Sequence, residues 1–367
     1  MRVVVNLRDQ VWQTTKSPGI LNVSTRLLPG LLASPRISEL HVLANSSLGA
    51  FLRSLPNDRR LRIHGGESTP HRGWRRLWWD NLGLARESDR IRPDWVLLPK
   101  GFGPLLRWPE SRVSAYVHDN IFGHYRRHGG APFPAGESAL FQMMLRKTAR
   151  RAAAIVTNSN FTAKEFARDF CPRASPVRIG APVGITSPGV CIPGKHSTGS
   201  PVIIVPTSRW PHKLTNQAIA WLQRWVETSG ATPYFHGYGS LPSADAWPRR
   251  PGWEHHGRIS EPELNRLRND TDVMVYFSDY EGYGLPPVEE AAAGRKAIAS
   301  DLPPLRETLP AHALFSNASF EDFSTKLSRA LAGPAPVPLQ TDTATAVADR
   351  WLQALDESDQ SSPPRHE

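Results

Sequence analysis

Short, continuous apolar runs recur along this chain in two separate series, and that pattern leaves few folds open. The first series covers residues 2–7, 95–98, 113–117 and 154–157. The second covers residues 202–205, 234–235, 273–277 and 297–299. Runs of this kind, apolar throughout and separated by helical segments, belong to parallel sheets covered on both faces. The expectation is therefore an α/β protein with two doubly wound parallel-sheet domains. Residues 180–200, rich in Pro, Gly and Ser and without periodicity, divide the two series. An N-terminal domain over 1–182, a linker over 183–200 and a C-terminal domain over 201–335 follow. Residues 334–338 form a further break, and 344–355 have helical spacing, so a C-terminal helix is expected within 336–360. The tail 361–367 reads as disordered.

A length of 367 residues suits two ordinary domains, and 40 % hydrophobic residues supply two cores. The two cysteines, Cys171 and Cys191, form no disulfide or metal pattern and suit a reducing compartment. The first residues lack the charged start, apolar core and cleavage site of a signal peptide. No stretch approaches the ~20 apolar residues needed to span a bilayer. A cytoplasmic location is expected. Charge is uneven: residues 1–180 carry 28 Lys and Arg against 13 Asp and Glu, and the remainder 16 against 21. A basic N-terminal half points to a polyanion or an anionic membrane face.

The chemistry concentrates in Ser278-Asp279-Tyr280-Glu281-Gly282-Tyr283-Gly284-Leu285-Pro286-Pro287-Val288-Glu289. An apolar run precedes it, and Pro286 and Pro287 suit a first helical turn, where a missing N–H is no loss. Gly294 closes that helix. The result is strand, glycine loop, short helix. Backbone amides from Gly282, Tyr283, Gly284 and Leu285 point at an anion or a hydroxyl-rich ligand, and Glu281 and Glu289 both face it. A second element, Thr207-Ser208-Arg209-Trp210-Pro211-His212-Lys213, follows the run at 202–205. Ligands of open parallel sheets bind at the C-terminal ends of strands. Arg209 and Lys213 are spaced to reach one phosphate pair.

Together these elements resemble retaining glycosyltransferases of family 4, which have the GT-B fold: two Rossmann-like domains facing a central cleft. The Glu-x7-Glu motif around Gly282-Tyr283-Gly284-Leu285-Pro286-Pro287 resembles the family's donor-sugar motif. Gly257-Arg258-Ile259-Ser260-Glu261-Pro262-Glu263-Leu264 upstream, and Gly294, Ser300-Asp301-Leu302-Pro303 and Glu307 downstream, fall at the family's spacing. The likeness is dense over 202–317 and patchy in the N-terminal half. It implies a nucleotide-sugar donor held by Arg209, Lys213, Gly282, Tyr283, Gly284, Leu285 and Glu289, with Glu289 on the ribose and Glu281 at the hexose. It also implies that the departing phosphate takes the acceptor proton, giving retention without a protein base. In the resembled fold a late helix crosses back to the N-terminal domain. No Asp-x-Asp motif is present, so the expected cofactor is none and catalysis is metal-independent.

In the N-terminal half, His118 and Asp119 follow the run at 113–117, where the family places a His-Asp pair near the donor sugar and acceptor hydroxyl; a helix cap by Asp119 is the alternative. Ser159 or Asn160, after the run at 154–157, caps a helix and faces the acceptor side. The family's first loop carries paired glycines that touch the diphosphate, whereas this chain has only Gly19. A second departure is Lys296, where the family has proline. Gly237-Tyr238-Gly239 reads as a plain strand-to-helix turn. His124 and His128 give no metal site, and His255-His256 reads as structural or exposed.

Arg72-Gly73-Trp74-Arg75-Arg76-Leu77-Trp78-Trp79 interleaves cations and tryptophans, and Met143-Met144-Leu145-Arg146-Lys147 with Arg150 and Arg151 repeats the theme. Such pairs suit a membrane interface, and also stacking on single-stranded nucleic acid. The reading that combines these features is a hexosyltransferase, GDP-mannose or a UDP-sugar being the donor. Its acceptor is a glycan or lipid-linked molecule of bacterial surface polysaccharide synthesis, and an anionic membrane is its partner rather than nucleic acid. A GT-B epimerase and a non-catalytic nucleic-acid binder are the rival classes.

Overall fold

A computed structural model describes residues 1–8, 10, 18–65, 75, 78–130, 133–183 and 199–360. The chain divides into two compact units, Met1–Pro182 with Asp342–Glu367, and Val183–Thr341. Most of the linker region, the tail 361–367, and Arg72, Trp74, Arg76, Leu77 and Cys191 lie outside the described residues.

The first unit holds seven parallel strands: β1 (Arg2–Asn6), β2 (Glu39–Leu43), β3 (Leu61–His64), β4 (Trp95–Leu98), β5 (Arg112–Val117), β6 (Ala154–Thr157) and β7 (Val177–Arg178). Their order is β3-β2-β1-β4-β5-β6-β7. The central strands are buried along their length, as β4 shows with all four residues of Trp95–Leu98 buried. Apolar side chains on both faces require helices on both faces, and the crossovers supply them.

The C-terminal helix Ala344–Gln360 belongs to this first unit and packs on the helix Pro18–Ala33. Contact is close at Gly30, where a Cβ would lie 2.3 Å from the Ala344 carbonyl oxygen. Trp351, fully buried, donates its indole N–H to Ser114 Oγ at 2.8 Å.

The second unit holds six parallel strands: β8 (Val202–Thr207), β9 (Tyr234–Gly239), β10 (Trp253–His255), β11 (Val273–Tyr276), β12 (Ala297–Ser300) and β13 (Leu314–Phe315). The order is β10-β9-β8-β11-β12-β13. Direction reverses between β8 and β11, the topological switch point at which such sheets bind ligands. Gly237-Tyr238-Gly239 is the end of β9 rather than a turn after it. Each sheet is doubly wound in the 3-2-1-4-5-6 sense, and the chain has the GT-B fold.

Candidate functional site

Two loops meet at the switch point of the second sheet. The first leaves β8 at Thr207, forms a single turn over Pro211–Lys213 and enters the helix Thr215–Ser229 through Leu214 at φ 47°. The second leaves β11 and enters the helix Leu285–Ala292 through Gly284 at φ 83°. Hydrogen bonds stitch them together. The His212 carbonyl accepts from the Asp279 N–H at 2.8 Å and from Ser278 Oγ at 3.0 Å. Asn317 Nδ2 donates to the Ser278 carbonyl at 2.7 Å.

This stitching places Lys213 beside Glu281. Lys213 Nζ donates to Glu281 Oε1 at 2.5 Å and to the Tyr276 hydroxyl at 3.0 Å. Tyr276 donates to the same Glu281 Oε1 at 2.6 Å. Both bonds land on one oxygen, so Glu281 Oε2 accepts none among the described residues. Burial, and then the Glu281 carboxylate, push the Tyr276 hydroxyl well above its ordinary range, so it remains a proton donor. Arg209 is exposed, with its guanidinium 5.1 Å from the Trp210 ring centroid and no ion pair among the described residues.

Behind this triad lies a buried charge network. The helix Glu261–Asn269 starts with a capping box in which Ser260 accepts from the Glu263 N–H and Glu263 accepts from the Ser260 N–H. Its last turn delivers Arg268 to the helix Leu285–Ala292. Arg268 lies 2.9 Å from Glu289 Oε2 and 2.9 Å from Glu290 Oε1, and Arg295 pairs with Glu290 Oε2 at 2.6 Å. Burial alone lowers the Arg268 guanidinium, but Tyr238, Glu290 and Glu289 outweigh it and the net shift is upward. Burial pushes the Tyr238 hydroxyl up to about 12, with the Arg268 charge acting against that shift. Glu289 is thus clamped by a cation. Tyr276, Tyr238, Arg268, Glu290 and Arg295 are the participants that sequence reading missed.

Gly282, Tyr283 and Gly284 are buried and Leu285 opens the helix. Gly284 must be glycine, because its φ is left-handed and a Cβ would stand 2.4 Å from Leu305 Cδ2. Pro286 and Pro287 leave Leu285 and Val288 as the N–H donors of the first turn.

In the first unit, His118 lies just past β5, buried, with Nε2 2.5 Å from the Pro99 carbonyl oxygen. That oxygen is an acceptor, so Nε2 carries the hydrogen. Burial lowers the His118 pKa to about 4, and the ring is neutral at pH 7. Asp119 Oδ1 accepts from the Ile121 N–H at 3.0 Å, but the following helix is capped by Asn120, whose side chain accepts from the Gly123 N–H at 3.1 Å. Ser159 is fully buried, and its Oγ accepts from the Thr162 N–H at 3.0 Å. It is the cap of the helix Asn160–Phe170, not a surface offered to a ligand. Gly19 lies in the first turn of the helix Pro18–Ala33, not in a loop.

On the same unit, Trp78, Leu106 and Met143 are 43 %, 69 % and 52 % exposed. Arg86 lies over the Trp78 ring. Lys147 Nζ bonds the Leu105 carbonyl, tying the helix Ala135–Arg151 to the loop that carries Leu106. Trp79 turns inward instead and is buried under Arg8. Among the described residues no helix is long and apolar enough to cross a membrane.

Comparison with known proteins adds three findings. The chain matches no family model. Among curated proteins it resembles the O-antigen chain mannosyltransferase RfbU of Salmonella typhimurium strain LT2, 38 % identical over 63 residues. That match covers 17 % of this chain and 18 % of the relative. Among solved structures it resembles the lipopolysaccharide outer core galactosyltransferase WaaB, with TM-score 0.57, 13 % identity and coverage of 98 % and 99 % of the two chains. It also resembles a sucrose-phosphate synthase of Thermosynechococcus elongatus, with TM-score 0.66, 12 % identity and coverage of 99 % and 100 %. A glycosyltransferase of Rickettsia africae aligns with TM-score 0.58, 12 % identity and coverage of 97 % and 94 %.

Proposed function

We propose that this chain is a retaining glycosyltransferase that moves a hexose from a nucleotide-diphosphate sugar to a glycan or lipid-linked acceptor. One observation carries the reading: Lys213 and Glu281 are held together by Tyr276 at the switch point of the second sheet, with Glu281 Oε2 left open. A cation and an unfilled carboxylate oxygen side by side suit a donor with a diphosphate at one end and sugar hydroxyls at the other. Arg209 and Lys213 hold the diphosphate as negative charge builds on it. Glu281 and the Gly282–Leu285 backbone hold the hexose and its developing positive charge. Glu289, fixed by Arg268, accepts from the ribose hydroxyls, and neutral His118 with Asp119 serves the acceptor side.

The chemistry is a same-face exchange. The bond from the sugar's anomeric carbon to the phosphate oxygen breaks, the bond to the acceptor oxygen forms, and the acceptor's proton passes to the departing phosphate. No carboxylate pair of the glycosidase kind is required. Protein cations serve in place of a divalent ion, so activity survives EDTA; loss with EDTA and return with manganese would overturn that part.

The donor is GDP-mannose or a UDP-sugar, and the short likeness to an O-antigen mannosyltransferase favours mannose and a role in bacterial surface polysaccharide or lipopolysaccharide synthesis. We place the enzyme in the cytoplasm, peripheral on the inner face of the membrane. Exposed Trp78, Leu106 and Met143 near Arg146, Lys147 and Arg150 support that placement. Flotation with anionic vesicles tests it: Arg75, Arg146 and Arg150 all changed to Glu should abolish binding.

The primary test is a thermal-shift screen against GDP, UDP, ADP and their sugars. Ligand that binds only native protein raises its melting point by mass action. One nucleotide family stabilising the wild type, with its sugar form losing the extra shift in Glu281→Gln, supports the site. No shift with any nucleotide refutes it.

A further inference from the structure

We propose that His236, Glu254 and His256 form a binding site for a divalent transition-metal ion of the zinc class, at the β9–β10 edge of the second sheet. The argument is geometric and independent of the proposed transferase site. His236 and Glu254 are directly paired in the parallel register of β9 and β10. Side chains alternate along a strand, so Glu254 and His256 share one face. His255 between them points the other way, its Nε2 2.9 Å from Thr207 Oγ1. The three candidate ligands therefore stand on the face opposite that contact.

His236 Nδ1 lies 2.9 Å from His256 Nε2, and 3.6 Å from Glu254 Oε2. One ligand atom from each residue lies within 4.8 Å of the other two, and among the described residues no other group of three His, Cys, Asp or Glu does so. Two ligands ~2.1 Å from one ion stand about 3 Å apart at a right angle and about 3.4 Å apart at the tetrahedral angle. The 2.9 and 3.6 Å spacings bracket those values, and Glu254 Oε1 lies 3.7 Å from the other ring nitrogen of His256, Nδ1, so a turn of that ring brings all three ligands onto one ion. Two imidazoles and one carboxylate are the donor set of zinc, cobalt and nickel rather than of magnesium or calcium.

At the β9–β10 edge the rings are 21 % and 24 % exposed and Glu254 is 66 % exposed, leaving room for water to complete the coordination. Ions entering from solvent would join β10, whose ladder pairs only three residues, to β9.

The experiment uses untagged full-length protein stripped with chelator, titrated with Co²⁺ by visible absorption and with Zn²⁺ by calorimetry. The expected result is one ion per chain, with His236→Ala and His256→Ala each weakening it at least ~10-fold, as loss of a ligand should. Glu254→Gln, at an exposed position where misfolding is not at issue, weakens it ~3-fold or more. His312→Ala leaves it unchanged. Matched melting points in chelator confirm that the variants fold. No cobalt band, or affinities in the three ligand variants within twofold of wild type, overturns the proposal and leaves the nitrogens sharing a proton only.

Discussion

Arg268→Met tests the buried charge network behind the candidate site. The side chains of Arg268, Glu289, Glu290 and Arg295 are 3 %, 8 %, 2 % and 6 % exposed, and their charges sum to zero. Removing the Arg268 guanidinium leaves two carboxylates sharing one cation in a site closed to water. Breaking a buried pair from one side costs about 3–5 kcal/mol, because the abandoned charge keeps its desolvation penalty. For a unit of this size that corresponds to a fall in melting temperature of roughly 6–20 °C, at ~2–4 °C per kcal/mol. The informative comparison is Arg268→Met with Glu289→Gln. That double variant retains the Glu290–Arg295 pair, with bonds of 2.6 and 3.2 Å, and its charges again balance. It should recover about 1–3 kcal/mol over the single change, the coupling expected of residues in one network. Denaturant unfolding with a probe in the second unit, such as Trp225 or Trp247 fluorescence, reads both numbers. A single variant that loses under ~1 kcal/mol, or losses that simply add, would refute the reasoning.

Three further outcomes follow. Tyr276→Phe removes a donor to Glu281 at 2.6 Å while keeping the ring, so donor-dependent kcat/KM should fall ~10-fold or more with little change in melting point, a charge-assisted bond being worth about 1.5–3 kcal/mol. His118 has a native pKa near 4 against an ordinary 6.5, so its contribution to stability is complete above pH 6.5 and is lost as pH falls toward 4. At ~1.4 kcal/mol per unit that loss is about 3 kcal/mol, and in His118→Asn the decline between pH 7 and pH 4.5 should be correspondingly shallower; an unchanged slope counts against a buried neutral ring. Gly284→Ala forces a side chain into left-handed backbone against Leu305 and should cost roughly 1–3 kcal/mol together with nucleotide-dependent stabilisation, measured in the same thermal scan.

Strands such as β1, β4, β5, β6, β8 and β11 were legible because they are largely buried and read as apolar runs, whereas β2, Glu39–Leu43, was missed although it lies between β3 and β1, its Glu39 and His41 breaking the apolar run. The edge strands were not legible either. Leu61-Arg62-Ile63-His64 and Trp253-Glu254-His255 are only partly buried, and their mixed chemistry resembles loop. At the site, Glu281 and Lys213 were readable because proline, glycine and charge sit at fixed offsets beside strand ends. Tyr276 was hidden because its ring counts as one more apolar residue of β11, and only the tertiary fold reveals where its hydroxyl goes. Arg268 was hidden for the opposite reason: a cation in the last turn of a charged helix is usually solvated. Its burial depends on a partner helix that begins seventeen residues later in the chain. Asn120 and Ser159 were resolved only by geometry, since several polar neighbours satisfy the same capping pattern.

The helix Leu285–Ala292 explains why the cations must come from elsewhere. A helix N-terminus attracts anions through its unpaired N–H groups. Here Pro286 and Pro287 remove two of those groups, and Gly284 bends the chain so that Leu285 begins the first turn. The prolines fix the start of the helix at the expense of its donors, and the same helix buries Glu289 and Glu290. An anion approaching it therefore meets few amides and two carboxylates already committed to Arg268 and Arg295. The compensating charge lies on the other side of the switch point, on the loop after β8. There Lys213 is anchored to Glu281, and Arg209 has no ion pair among the described residues. Under the proposed function the two loops act as one unit: the loop after β11 supplies acceptors, while the loop after β8 supplies positive charge. The bonds from Ser278 and Asp279 to the His212 carbonyl hold those roles in register.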